Sequence, residues 1–190
     1  MNSRMSKLRL YPSMALVLLL SACAGKTMVE SDLQIDGAPD WVNKGTQYLD
    51  DKDGRLLHGV GEAPNMKSAS LQKSTADTRA RTEVARILKT YMDAATSDYM
   101  SAAQASGTEA VSEEAVSQQI KGITKANLNG VKIIARWKDK KTAIIYSLAE
   151  LDMKHVDKNI SLSQKMDENL KKYMQDNSNN IFDKVSQEKK

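Results

Sequence analysis

A helical pattern of apolar residues extends from position 66 to about position 103 and limits the possible architectures of this chain more than any other segment. Residues three and four positions apart share one face of an α-helix. The apolar residues at these steps are Ala80, Val84, Ile87, Leu88, Tyr91, Ala95 and Tyr99. The sequence therefore predicts one long amphipathic helix, and the remaining elements must cover its apolar face.

Strand signals stand on both sides of this helix. Residues 56–61 form a short apolar run between turn residues, which is typical of a strand, and its two glycines favour close approach of a crossing helix. Residues 131–137 and 142–151 are rich in β-branched residues and predict a hairpin whose loop spans 138–141. Side chains point alternately to the two faces of a strand. On the first strand of the hairpin, we therefore predict that the face toward the long helix consists of Val131, Ile133, Ala135 and Trp137.

Two further segments show helical spacing. The first predicts a shorter helix that ends at Asn129 and Gly130; its apolar positions are Val116, Ile120 and Ile123. The second begins after Asp152 and is interrupted at 177–180; its apolar positions are Val156, Ile160, Met166, Leu170 and Tyr173. This C-terminal arm can pack back on the domain or pair with another protomer, and the sequence leaves both alternatives open.

Together these elements predict an α+β fold. A small, mainly antiparallel three-stranded sheet is packed by the long amphipathic helix and the shorter helix, and a helical arm follows at the C-terminus. With 190 residues, there is room for one domain with a tether and an arm.

The N-terminus has the pattern of a secretory signal peptide. Basic residues precede an apolar run at 14–20, and small residues follow it. Seven apolar residues are too few to span a bilayer, which takes about 20, but they match the apolar region of a signal peptide. We therefore predict that residues 1–22 are absent from the mature protein.

The only cysteine of the chain, Cys23, follows this segment directly. The sequence Leu20-Ser21-Ala22-Cys23 resembles the bacterial lipobox, in which the cysteine thiol receives a diacylglyceryl group and signal peptidase II cleaves just before it. The resemblance implies that the peptidase recognises Leu20, Ser21 and Ala22, and that Cys23 carries a covalent diacylglycerol and an N-acyl chain. Several acyl chains anchor a protein to a membrane without spanning it.

The residue after the cysteine bears on the choice of membrane. Ala24 stands where lipoproteins retained in the inner membrane of enteric-type bacteria usually carry Asp. The resemblance to the lipobox therefore favours the outer membrane, with the protein facing the periplasm.

Processing also changes the charge of the protein. The full chain has 28 basic and 24 acidic side chains, but Arg4, Lys7 and Arg9 belong to the signal peptide. The mature chain is therefore nearly neutral, with 25 basic and 24 acidic side chains. Neither this balance nor the low aromatic content favours a nucleic-acid partner.

Three stretches of the mature chain form a recognisable pattern: 38–42 (Ala-Pro-Asp-Trp-Val), 58–63 (His-Gly-Val-Gly-Glu-Ala) and the helical segment 70–86. Through them, residues 38–151 resemble the bacterial lipoprotein 20 family of small outer-membrane lipoproteins. The resemblance implies an α+β lipoprotein domain at the cell envelope, related to flagellar lipoproteins that build rings or discs beneath the outer membrane. The predicted division is a signal peptide at 1–22, a lipidated N-terminus and flexible tether at 23–40, the lipoprotein 20-like domain at 41–151, and the helical arm at 152–190.

No set of residues indicates catalysis or a metal site. His58 and His155 are far apart in sequence, and neither has a partner at the four-residue step that a helical metal site needs. Asp51 and Asp53 fail as a calcium loop, because the flanking ligand positions are apolar. The glycines of 59–61 lack the third glycine of a dinucleotide fingerprint. The basic residues of the long helix, Arg79, Arg81, Arg86 and Lys89, are interpreted as a solvated face with Glu83 as an ion-pair partner.

We therefore expect a protein that is not an enzyme and needs no cofactor. The predicted role is that of a structural or protein-interaction module on the periplasmic side of the outer membrane, with a connection to flagellum or envelope assembly. Its expected partners are membrane lipid, other envelope proteins and further copies of itself. The alternative is a periplasmic lipoprotein that binds a ligand or glycan, which needs a concave pocket between the sheet and the long helix.

Overall fold

The computed structural model describes residues 33–45, 55–107 and 112–187. In chain order its elements are α1 (Asp40–Asn43), β1 (Leu56–Ala63), α2 (Ala69–Ser106), α3 (Glu113–Leu128), β2 (Lys132–Lys138), β3 (Ile145–Asp152), α4 (Met153–Leu162) and α5 (Glu168–Gln187). The fold is α+β, as predicted. An antiparallel three-stranded sheet packs against the long helix α2, and further helices, including the C-terminal one, pack beside them.

The sheet has β3 between β1 and β2, and both pairings are antiparallel. On the face toward α2, Gly59 and Gly61 of β1 lie against the helix backbone. A Cβ atom on Gly59 would lie 2.5 Å from the carbonyl oxygen of Ala80 and 2.8 Å from the nitrogen of Val84. The predicted close approach of strand and helix is confirmed, and a residue without a side chain permits it.

Helix α2 is 38 residues long, which corresponds to about 57 Å. Ser68 caps its start, since the Ser68 hydroxyl accepts a hydrogen bond from the Leu71 amide. Gly107 ends it in the left-handed conformation, with φ of 65°. Every apolar position predicted for this helix is buried: Ala80, Val84, Ile87, Leu88, Tyr91, Ala95 and Tyr99.

The helices after the hairpin complete the cover of α2. Leu88 and Tyr91 of α2 share one buried cluster with Leu170, Met174 and Ile181 of α5, and the cluster also takes in residues of the sheet, α3 and α4. Of the two alternatives for the C-terminal segment, the structure shows the first: the segment packs back on the domain.

Helix α5 contradicts one detail of the predicted arm. It runs without interruption through 177–180, and the break between the two C-terminal helices lies at 163–167 instead. Asn177 donates its side-chain amide to the carbonyl of Tyr173 within the helix, and Ser178 is buried. Ile181 and Phe182 follow in the core. Burial of these apolar residues outweighs the weak helix propensity of the preceding Asn and Ser residues.

Strand β2 contains an irregularity that overturns one prediction. The expected common face toward α2, with Val131, Ile133, Ala135 and Trp137, does not form. Ile133 pairs with Ala149, but Ala135 already pairs with Leu148, so Ile134 is an extra residue in a β-bulge. Because a shift of one residue exchanges the faces, Trp137 lies on the side of the sheet away from α2. Its ring packs beside Tyr146 instead, at 5.7 Å between centroids.

The hairpin loop is longer than the predicted 138–141. Lys138 still pairs with Ile145, so the loop spans 139–144. The Asp139 carboxylate closes it by accepting hydrogen bonds from the amides of Lys141 at 2.8 Å and Thr142 at 3.3 Å. These bonds, with a backbone bond from Asp139 to the carbonyl of Ile144, fix the shape of the tip.

Candidate functional site

The predicted lipidation residues lie outside the described part of the chain. Leu20, Ser21, Ala22 and Cys23 precede residue 33, the first that the structure describes. The turn at Asp51 and Asp53 lies outside it as well. The lipobox therefore stays a prediction from the sequence.

The two histidines lie in separate surroundings. His58 of β1 is buried, and its Nε2 lies 3.0 Å from Oε2 of Glu150 on the neighbouring strand β3. His155 of α4 lies against Gly130, and its Nε2 is 3.1 Å from the side-chain nitrogen of Asn159. The two histidines therefore have different partners and do not form a common site.

The four basic residues of α2 singled out in the sequence all have partners in the fold. Arg79 donates to the carbonyl of Glu62, and Arg81 donates to the carbonyl of Val131. Arg86 pairs with Glu83, as the spacing predicts, and Lys89 pairs with Asp93 one turn later. Two of these side chains therefore attach the helix to the sheet region, and the other two form exposed pairs along the helix.

A charged cluster that the sequence did not reveal joins α2 to the sheet. Both carboxylate oxygens of Asp77 accept hydrogen bonds from Arg136 of β2, each at 2.7 Å. Asp77 also accepts from the hydroxyl of Ser147 at 2.8 Å, and Ser147 is fully buried. The hydrogen bond from Arg136 outweighs the effect of burial and lowers the pKa of Asp77 below its ordinary value of 3.8. Asp77 thus stays ionised and holds one end of α2 on the sheet.

A second polar cluster lies where β1, α2 and α4 meet. Arg55 pairs with Asp157 at 3.3 Å, and its guanidinium carbon lies 5.8 Å from the centre of the Phe182 ring. Burial raises the pKa of Asp157, although the charge of Arg55 opposes the rise. Tyr91 lies near the pair and is fully buried, and its hydroxyl has no hydrogen-bond partner among the described residues. Burial raises the pKa of Tyr91 to about 12.

A concave surface of the described residues lies between α2 and α3. It is a groove of about 930 Å³. Its floor includes Met92 and Ile120, which are buried, and its rim carries Lys121 and Lys125 of α3. Hydroxyls line it as well, from Thr96, Ser97, Ser101, Ser117 and Thr124. The space between α2 and the sheet is filled by helix backbone packed on Gly59 and Gly61.

Within 33–45, 55–107 and 112–187, no three His, Cys, Asp or Glu side chains are grouped so that they could hold a metal ion. No helix of these segments has the length and apolar character needed to cross a membrane. No protein-family model matches the chain, and no curated protein matches it significantly. The resemblance to the lipoprotein 20 family therefore stays a prediction.

Proposed function

We propose that this protein is a lipid-anchored lipoprotein of the outer membrane that faces the periplasm and acts as a structural or protein-interaction module of the cell envelope. The observation that carries the proposal is the position of Cys23, the only cysteine, directly after an apolar segment and two small residues. A thiol is the nucleophile that a thioether to diacylglycerol requires. Several acyl chains exceed what stable anchoring takes.

The surfaces of the described domain support a binding role. His58, Arg79 and Arg81 are engaged by contacts that hold elements together, and Arg86 and Lys89 form ion pairs along α2 itself. The groove between α2 and α3 combines a buried apolar floor with hydroxyls and lysines on its rim. A surface of this composition suits contact with another macromolecule.

The anchor is tested by two substitutions. Cys23→Ala removes the acceptor of the lipid, so we expect loss of acyl labelling and recovery of the protein from soluble fractions. Ala24→Asp is the matched control: it keeps the cysteine, so acyl labelling should persist, while the protein should move from the outer-membrane fraction to the inner-membrane fraction. If Cys23→Ala carries no acyl label but is still found in the membrane fraction, the lipid anchor is refuted.

The interaction role is tested by crosslinking in living cells. A photo-reactive residue at Lys121, on the rim of the groove, should give adducts with envelope proteins or with a second copy of this chain. The same residue at Lys172, on the exposed side of α5, is the control and should give fewer adducts. If neither position gives crosslinked adducts and only monomers are recovered, the interaction role is contradicted.

The alternative function, binding of a soluble ligand or glycan, stays a prediction. The pocket that it requires between the sheet and α2 is filled, so the groove between α2 and α3 is where a ligand would have to bind. Retention of a small molecule by the purified protein, released by substitutions at Ser117 and Thr124, would favour this alternative.

A further inference from the structure

The first described residues of the chain lie beside the tip of the hairpin. The carboxylate of Asp36 is 4.0 Å from the Lys141 ammonium group in the loop between β2 and β3. The start of α2 lies at the same end, because the Gln72 side chain donates to the carbonyl of Ala143 at 2.7 Å. The described chain therefore begins at the end formed by the hairpin tip and the start of α2.

This end exposes a group of lysines, which we call the lysine end. Its members come from two separate segments and are Lys67, Lys73, Lys138, Lys140 and Lys141. Apart from the long contact of Lys141 with Asp36, none of them forms an ion pair with a described residue. Leu71, which is 59% exposed, lies between the two lysines at the start of α2.

The described acidic residues near this end are fewer than its basic residues. Glu62, which pairs with Tyr146, is exposed, and Asp36 is the partner of Lys141. Asp139 is only 7% exposed and turns its carboxylate inward to the amides of its own loop. Asp77 is held by Arg136, and Asp40 lies 3.5 Å from Lys44. The lysine end thus presents a positive surface on a mature chain that is nearly neutral as a whole.

The length of the linker restricts how the domain can sit on a membrane. Ten residues, 23–32, separate the proposed lipid from Leu33. At 3.3–3.6 Å per residue they reach at most about 35 Å. Helix α2, which starts at the lysine end, extends about 57 Å away from it. The anchor therefore keeps the lysine end within reach of the lipid headgroups, whereas the turn after α2 can lie beyond that distance.

We propose that the lysine end docks on anionic phospholipid headgroups of the leaflet that holds the acyl chains, so that α2 stands away from the membrane. This inference rests on the proposed lipid anchor and specifies the orientation that the anchor leaves open. Lysines close to an anionic leaflet are attracted to its surface potential, and Leu71 can enter the interface beside them. The anchor makes even weak contacts effective, because it holds the lysines at a high local concentration near the lipid.

The orientation is measured with single thiol labels on the lipidated protein. Because Cys23 is acylated in the proposed form, an introduced cysteine is the only free thiol. Ser70→Cys places a fluorophore at the lysine end, and Ala105→Cys places it in the last turn of α2; both positions are exposed. The labelled proteins are reconstituted into vesicles of phosphatidylcholine, with or without phosphatidylglycerol, that contain an energy acceptor on the headgroups.

The inference predicts efficient energy transfer from position 70 and weak transfer from position 105 in anionic vesicles. The transfer from position 70 should fall in neutral vesicles, and also at about 1 M salt, where charges are screened beyond about 3 Å. Replacing Lys140 and Lys141 by Ala should weaken the anionic-lipid effect, with a docked-to-undocked ratio about 30-fold lower, because each lysine near an anionic surface contributes about 1 kcal/mol. The matched control replaces Lys121 and Lys125 of α3 by Ala and should leave the effect unchanged.

Equal transfer from positions 70 and 105, or equal transfer in neutral and anionic vesicles, would overturn the inference while leaving the anchor intact. Flotation with neutral vesicles reports the anchor separately. A second labelled thiol at Cys23, together with loss of flotation, would refute the proposed lipid anchor instead.

Discussion

At the scale of single residues, Asp77 makes the clearest energetic contribution to the contact between α2 and the sheet. Its replacement by Asn should lower the free energy of unfolding by about 1.5–3 kcal/mol, as is typical for hydrogen bonds to a charged group. Asp93→Asn, in an exposed pair with Lys89, is the control and should change the free energy by less than about 1 kcal/mol.

The pH dependence of this contribution follows from the lowered pKa of Asp77. The stabilisation is present above the ordinary value of 3.8 and is lost as the pH falls through the lower folded-state pKa. Urea unfolding at a series of pH values should therefore show a difference between wild type and Asp77→Asn that shrinks in acid. A difference that is constant with pH would contradict the assignment.

For Tyr91, in contrast to Asp77, we expect that substitution does not lower the stability of the protein. The Tyr91 hydroxyl is buried without a partner in the described part of the chain, and leaving such a group unsatisfied costs about 1–3 kcal/mol. Tyr91→Phe should therefore leave the stability unchanged or raise it, and should remove the tyrosine with the pKa of about 12 from an absorbance titration. A clear loss of stability would show instead that the Tyr91 hydroxyl forms a hydrogen bond in the folded protein.

These residues show why sequence patterns predict some contacts and miss others. A glycine in a strand often marks a site where another backbone approaches closely. The close approach at Gly59 and Gly61 was therefore predictable. Asp77 and Arg136 are separated by 59 positions, and no periodicity connects them. Their contact arises only when the sheet and α2 are assembled.

At the scale of elements, the close packing of α2 on β1 can be tested by replacing a glycine at the contact. Gly61→Ala would place a Cβ 2.6 Å from the carbonyl oxygen of Ala76 and should destabilise the protein by several kcal/mol, because helix and strand must separate. Gly122→Ala in α3 is the matched control. Apart from the backbone of its own helix and its chain neighbours, no atom of the described residues lies within 4 Å of the added Cβ, so the substitution should stabilise the helix by about 1 kcal/mol. Thermal unfolding followed by circular dichroism compares the two; equal effects would contradict the described packing.

The long helix and the hairpin were predictable because their periodicity is long and regular. The bulge at Ile134 was not, since an alternating pattern of apolar residues reads the same with or without one extra residue. The helix across 177–180 was not predictable either, because local propensity opposes it and tertiary burial of Phe182 decides it.

At the scale of the whole molecule, the C-terminal helices belong to the core. A chain that ends at Leu162 lacks Leu170, Met174, Ile181 and Phe182 and would expose the apolar face of α2. We expect it to lose cooperative urea unfolding, because the remaining core is too small to be stable alone. A cooperative transition with wild-type midpoint would show that these helices are a dispensable arm.

The overall charge of the molecule conceals an asymmetry. The count of charged residues predicted a nearly neutral mature chain, but the lysine end is assembled from segments about 65 residues apart, and only the fold brings them together. The candidate surface therefore depends on tertiary structure, whereas the candidate anchor is a local property of four consecutive residues.

The intact mass of the protein extracted from membranes distinguishes a lipid-anchored protein from one that is unprocessed or unmodified. We expect a chain that begins at Cys23 and carries a diacylglyceryl group and an N-acyl chain, seen as a series of masses spaced by the chain lengths of the lipids. A chain that retains residues 1–22, or one with an unmodified Cys23 thiol, would contradict the proposed lipid anchor.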